Sequence, residues 1–174
     1  MPKRRLTFDG DATPTSLLRL SITGIGKTDR KQFRQATEWM LTALVGSRLI
    51  QNIDLTVRFV PNLGKYVGDC EWLDDNIAPR QFLIRISTNQ SRNQKFLTLA
   101  HELTHVKQFV TNQLFDYAVN SDLSRWHRQV IDVTQYAYKD LPWEKDAYAT
   151  QAPLLRAYKK WVKQEERIHN GIDL

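Results

Sequence analysis

Ser91-Arg92-Asn93-Gln94-Lys95-Phe96-Leu97-Thr98-Leu99-Ala100-His101-Glu102-Leu103-Thr104-His105-Val106-Lys107-Gln108-Phe109-Val110 carries both a helix-start signal and a metal-binding spacing. Ser91 and Gln94 form a Ser-x-x-Gln capping box, in which each side chain satisfies the other residue's backbone N–H, so a helix is expected from near Arg92 to about Gln113. Phe96, Leu99, Leu103, Val106 and Val110 recur along it at helical spacing and predict one apolar face. Gln108 and Asn112 extend the polar edge that holds His101 and His105. Residues four apart stand one turn apart on the same face, so His101 and His105 can aim both imidazoles at one ion about 2.0–2.1 Å away. Glu102 lies about 100° round the axis, which is unsuited to a third ligand but suited to a general base acting on a water at the metal.

Working outward, Leu18, Leu20 and Ile22 alternate with polar residues as a short half-buried strand does, and Gly24-Ile25-Gly26 ends it. A helix is predicted from Thr28 or Asp29, with Phe33, Ala36, Met40 and Leu44 on its apolar face and Gly46 as its stop. Ile53, Leu55, Val57 and Phe59 alternate with Asp54, Thr56 and Arg58, the pattern of a strand with one wet face, before Pro61-Asn62-Leu63-Gly64 turns the chain. Two further strands are expected, Tyr66 to Leu73 and Gln81 to Ser87, joined by the polar Asp74-Asp75-Asn76-Ile77-Ala78-Pro79. Either could present a sheet edge to an extended peptide. The stretch from Leu114 to Lys139 is poorly periodic, and Trp126 to Val133 is its candidate strand.

Asp140-Leu141-Pro142 opens a final helix with proline at its first position, and Pro153 is expected to kink or break it. Leu154, Tyr158, Trp161, Val162 and Ile168 then offer an apolar stripe to the core. These elements predict an α+β fold: one domain over residues 1–174, with a small twisted sheet of three or four strands packed on the motif helix and a second helix.

Composition narrows the class. The 174 residues suit one domain, and 41% hydrophobic with 25% charged residues fits a soluble globular chain. A net charge of +6 permits attraction to nucleic acid or acidic proteins, but the 25 basic residues are spread along the chain and read as solvated surface. Lys3-Arg4-Arg5 and Lys159-Lys160 are the compact basic clusters. Asp9-Gly10-Asp11 interrupts the basic start before an export signal develops, and Trp39 to Val45, the longest mainly apolar stretch, falls far short of the ~20 residues that span a bilayer. Cys70 is the single cysteine, so no internal disulfide forms and a cytoplasmic setting is expected, in a cell or an infected host. It reads as a small strand residue without a general base, while Trp126, Trp143 and Trp161 read as core or cleft wall.

Zinc needs a third protein ligand and one open position before it supports hydrolysis. His127, Asp132, Asp140, Glu144, Asp146 and His169 are the downstream candidates, and no His-x-x-Gly-x-x-His follows the motif. Glu144 is preferred, because Pro142-Trp143-Glu144-Lys145-Asp146-Ala147-Tyr148 opens a helix that would hold its carboxylate rigidly, and Ala147 on the same face lets two helices approach. Candidate oxyanion donors are His127, Tyr136, Tyr138 and Tyr148, with Tyr148 first because it shares the face of Glu144.

Leu99 to Gln108, followed by Pro142 to Tyr148, resembles the gluzincins, and more closely the small minigluzincin or SprT-like proteins of phage and bacteria. The resemblance extends from Gly68 to Tyr148 and takes in Trp72, Pro79-Arg80-Gln81-Phe82 and Trp126. It implies zinc held by His101, His105 and Glu144, with Glu102 as catalytic base in the hydrolysis of a peptide or protein substrate. Several gluzincins carry an aspartate four residues after the glutamate ligand to support a histidine; Tyr148 stands there in this chain, with Asp146 the nearby acid. Two other readings are a non-catalytic zinc-stabilised interaction module and a SprT-like protease acting on nucleic-acid-associated proteins, which would bind nucleic acid in a salt-dependent way.

Overall fold

The alternation of Leu55, Val57 and Phe59 with polar neighbours has a direct structural counterpart. In the computed structural model, which describes residues 18–74, 77–117 and 121–171, these three side chains are buried along β2 (Asp54–Val60) while Arg58 between them is exposed. Lys3-Arg4-Arg5, Asp9-Gly10-Asp11 and the turn residues Asp75 and Asn76 lie outside the described residues. β2 pairs in parallel with β1 (Arg19–Thr23) on one side and β4 (Gln81–Ser87) on the other, and β3 (Gly68–Trp72) runs antiparallel to β4. The order β1-β2-β4-β3 puts β4 inside the sheet and β3 at its edge, which decides between the two edge strands expected from sequence. Register sets Ile22 beside Val57, Val57 beside Ile84, and Leu55 beside Phe82, so the inward residues form continuous apolar rows.

α1 (Lys27–Ile50), α2 (Arg92–Val110) and α3 (Pro142–His169) supply the helical layer. Gly46 leaves helical geometry at φ 80° and ψ 158°, as a stop should, but the helix resumes after this kink and carries Ile50 fully into the core. α2 begins at the expected capping box, with Ser91 N–H donating to Gln94 Oε1 at 3.0 Å and Gln94 N–H to Ser91 Oγ at 3.3 Å. It packs against α1, α3, β3 and β4, so it is buried nearly all round rather than on one apolar face. Thr104 and Gln108 are fully buried with Leu99, Leu103 and Val106, and Thr104 Oγ1 satisfies itself by donating to Ala100 O at 2.8 Å.

Between α2 and α3 lies a second, three-stranded sheet that the sequence left unassigned: β5 (Leu114–Asp116), β6 (Leu123–Trp126) and β7 (Gln129–Asp132), all antiparallel. The expected strand from Trp126 to Val133 is instead split by a turn at His127 and Arg128, where His127 adopts φ 55°. α3 is not broken at Pro153, which lies inside one continuous helix. A mid-helix proline costs about 3 kcal/mol, and the burial of Leu154, Leu155, Tyr158 and Trp161 just beyond it offsets that at roughly 1.5–3 kcal/mol for each large side chain. Trp161 and Tyr158 pack on Trp39 of α1 with ring centroids 6.0 and 5.8 Å away, and the apolar stripe ends there, since Ile168 is 58% exposed. Trp143 is also buried, and Trp126 is half-buried 6.4 Å from it. Among the described residues no helix is long and apolar enough to cross a membrane.

Candidate metal centre

α2 sets His101 and His105 one turn apart, and the first turn of α3 brings Glu144 against them. Pro142 at the head of α3 starts the helix where its missing N–H costs nothing, and the fully buried Ala147 keeps that face small where it faces inward. His101 Nε2 lies 3.2 Å from Glu144 Oε2, His105 Nε2 lies 3.3 Å from Glu144 Oε1, and the two Nε2 atoms are 3.2 Å apart. One ligand atom from each residue falls within 4.8 Å of the others, and all three residues are buried.

The neighbours of the imidazoles fix which nitrogen is free. Gln108 Nε2 donates to Trp143 O at 3.0 Å and to Asp146 Oδ2 at 2.9 Å, and both partners only accept. The amide orientation is therefore determined, and Gln108 Oε1 faces His105 Nδ1 at 2.9 Å, where it accepts from that N–H. His105 thus carries its proton on Nδ1 and turns the Nε2 lone pair to the cluster. Gln151 Oε1 stands 3.1 Å from His101 Nδ1 and holds the second imidazole in the same way. Support that the family resemblance would assign to position 148 comes instead from Asp146, relayed through Gln108, and from Gln151 one turn further along α3.

Two lone pairs and a carboxylate at these distances need a positive charge among them. Burial alone would depress the His105 imidazolium, but hydrogen bonding to Glu144 and the charges of Glu102 and Glu144 outweigh it and raise its pKa. Burial likewise works to raise the Glu144 carboxyl, yet hydrogen bonds from His101 and His105 hold it at about 2. Glu144 is therefore ionised at neutral pH, and the field that draws a proton to the cluster is one that would also draw a cation. A His-His-Glu set with Nε2 lone pairs aimed inward and each Nδ1 held by an amide oxygen fits zinc and leaves room for a fourth ligand.

Glu102 differs from Glu144 although both are buried carboxylates. Burial pushes its carboxyl up, His105 and His101 pull it back only in part, and it settles at about 7. The strand beside it is Gly68, where an added Cβ would stand 2.7 Å from Glu102 Oε1 and closer still to Thr98 Cγ2. Only glycine lets β3 approach the carboxylate this closely.

An open cleft of about 220 Å³ leads to these groups, and Lys65, Tyr66, Gly68, Tyr138, Tyr148 and Gln151 are among its lining residues. Tyr138 lines the cleft near Glu144, and partial burial together with that carboxylate raises its phenol well above the ordinary value, so it stays protonated. Tyr148 sets its ring edge-to-face on His101, with centroids 4.7 Å apart.

The other candidates are elsewhere. His127 is exposed at the β6–β7 turn, against Trp126 and beside Arg125 and Arg128 in a separate hollow. Asp132 caps the turn after β7 through Thr134, Asp140 pairs with Lys145 at 3.3 Å, and His169 is exposed at the far end of α3. Tyr136 is exposed and does not line the cleft. Burial, with Glu102 and Asp69 nearby, raises the Cys70 thiol well above its ordinary value and leaves it without nucleophilic character. Sequence reasoning missed Gln151 and Gly68; the spacing of seven from Glu144 to Gln151, two helical turns, was the available signal for the first. No protein-family model, characterised relative or solved structure matches this chain, so the gluzincin resemblance rests on its motif residues.

Proposed function

We propose that the protein is a zinc-dependent metalloendopeptidase, with zinc held by His101, His105 and Glu144. The observation that carries this reading is the convergence of those three groups, with His101, Glu144 and the Glu102 carboxyl lining a cleft open to solvent. Bound zinc supplies Lewis-acid polarisation of a water and of a carbonyl oxygen. Glu102, buried beside both histidines at the cleft, is the group for a general base that must also act as an acid. It takes a proton from the attacking water as the oxygen adds to the peptide carbon, then gives it to the departing amine as the C–N bond breaks. The products are one carboxylic acid and one amine, and Glu102 returns to its starting state. Tyr138, protonated and lining the cleft, is placed to donate to the carbonyl oxygen as it gains charge. β3, an edge strand whose Gly68 lines the cleft, offers unpaired backbone groups to an extended polypeptide. The single, unreactive Cys70 suits a cytoplasmic setting.

Glu102→Gln tests the proposal, because it keeps size and leaves all three ligands in place. Zinc content is expected to match wild type while cleavage of a broad peptide library falls by about 10²-fold or more. Zinc-loaded wild type that cleaves nothing, or equal cleavage by both proteins, would refute the assignment.

A further inference from the structure

The chain enters β3 through Pro61-Asn62-Leu63-Gly64-Lys65-Tyr66-Val67, and this approach is pinned at both ends. Gly64 N–H donates to Asn62 Oδ1 at 2.7 Å and Tyr66 N–H to Leu63 O at 3.2 Å, which closes a tight turn. Val67 O accepts from Ser87 N–H and from Gln90 Nε2, each at 2.9 Å, and Gln90 Oε1 in turn accepts from the Thr98 hydroxyl of α2 at 2.8 Å. Lys65, between these anchors, is exposed and lines the cleft. Its ammonium sits over the ring of Tyr66, 5.1 Å from the centroid, and that ring packs on Tyr138 with centroids 6.2 Å apart. No carboxylate among the described residues pairs with it.

We propose that Lys65 selects the substrate: the cleft takes polypeptides that carry an aspartate or glutamate side chain close to the bond that is cut. The inference rests on the metallopeptidase reading, in which the charge of zinc offsets the Glu102 and Glu144 carboxylates. Lys65 is then the uncompensated charge lining the cleft among the described residues. An incoming basic side chain finds no free carboxylate there, since Glu144 is committed to the metal and Glu102 to the attacking water. An acidic side chain meets an ammonium with three donors, so it can pair with Lys65 while the contact to the Tyr66 ring persists. Tyr66 and Tyr148, each about half exposed at the same cleft, add hydroxyl groups that can donate to a carboxylate.

The test digests a library of random peptides, blocked at both ends, with the zinc-loaded full chain and reads the cut sites by mass spectrometry. At about 10 mM ionic strength, Asp and Glu are expected about three- to fivefold over Asn and Gln at one or two positions flanking the cut, with Lys and Arg depleted. At about 1 M, where the Debye length is about 3 Å, the preference should fall below about twofold. Lys65→Gln is expected to remove it and Lys65→Glu to invert it in favour of Lys and Arg, which a loss of packing does not produce. Lys163→Gln, exposed far along α3, is the control and should keep the wild-type preference. Binding is read apart from turnover with zinc-loaded Glu102→Gln protein and two labelled peptides that differ only in Glu against Lys. The Glu peptide should bind about fivefold tighter, and adding Lys65→Glu should reverse the order. Cleavage without charge preference, or a preference that survives in Lys65→Glu, would overturn the proposal and leave the metallopeptidase reading standing. No cleavage by wild type would overturn both. Cutting of a second library, with free C-termini, at the chain end alone would assign Lys65 to a terminal carboxylate and overturn the side-chain assignment.

Discussion

Gln108→Leu tests the support of the metal centre at the residue where three interactions meet. Leucine keeps the volume in a fully buried position and is a good helix former, so neither cavity nor propensity confuses the result. What disappears is the acceptor 2.9 Å from His105 Nδ1 and the donor to Trp143 O and Asp146 Oδ2. With Nδ1 no longer held, the imidazole is free to change tautomer and turn its lone pair from the cluster. Loss of such an outer partner lowers metal affinity by about 10–100-fold, or roughly 1.4–2.7 kcal/mol. The metal-free protein loses on the order of 1–3 kcal/mol for a buried group left without a partner, here the His105 N–H, since the Trp143 carbonyl keeps its bond within α3.

Zinc affinity by competition with a chromogenic chelator and urea unfolding in excess chelator measure the two effects separately. Asp146→Asn is the graded control: its amide oxygen still accepts from Gln108, so a fall of less than about fivefold is expected. A folded Gln108→Leu protein that binds zinc within about twofold of wild type would refute the tautomer argument and, with it, the role given to Asp146.

Gly68→Ala pushes a methyl group toward Glu102 Oε1 and Thr98. It should lower peptide hydrolysis by about tenfold or more at unchanged zinc affinity; full activity would show that β3 does not set the Glu102 position. Tyr138→Phe is expected to reduce kcat by about 10²-fold, the scale of a lost oxyanion donor, with KM little changed, whereas Tyr148→Phe keeps the ring on His101 and should stay within about threefold. Equal effects at the two tyrosines, followed by steady-state kinetics on one peptide, would remove Tyr138 from the mechanism.

What was legible in the sequence was local. The capping box fixes the start of α2 by two reciprocal hydrogen bonds, and the Glu144 turn is announced by Pro142, so both motif helices and the three converging groups follow from short spacings. The alternating β2 and β4 segments were equally plain, because one wet face writes a period of two into the chain. Whether β4 lies at an edge or inside depends on which strands it pairs with, and no period within Gln81–Ser87 records that. The three strands between α2 and α3 are three or four residues long, too short to show a period against background. The break allowed for at Pro153 does not occur, for a different reason. The proline's local penalty is real, but the tryptophan and tyrosine burial that outweighs it is a property of the packed helix. Gln108 was visible only as a polar residue on an edge; that it is fully buried, and so must have partners on both ends of its amide, requires α3 to be in place.

Removing zinc should destabilise the protein by an amount that grows with pH, and the sign follows from the groups in the cluster. In the metal-free protein the Glu102 carboxyl is raised from 4.5 to about 7, so the stability of its protonated, buried form is full below about 4.5 and is lost as pH rises through 7. A shift of this size is on the order of 3 kcal/mol. His105 is also raised, so its contribution is present below the ordinary imidazole value and is lost over the upper part of the same climb. Zinc acts in the opposite sense: it takes the place of the proton that His105 Nε2 would hold, so binding strengthens as pH rises and that proton is no longer in competition. At a free zinc concentration about a thousandfold above Kd the stabilisation is about 4 kcal/mol, which for a chain of this length is roughly 8–16 °C in Tm. Differential scanning calorimetry with zinc and with chelator, at about pH 5.5 and pH 8, should therefore show the gap in Tm widening at the higher pH. Glu102→Gln, which cannot ionise, should melt with a flatter pH dependence in chelator than wild type. A gap that stays constant or narrows would mean that the protonation of this cluster and its occupation by a cation are not alternatives.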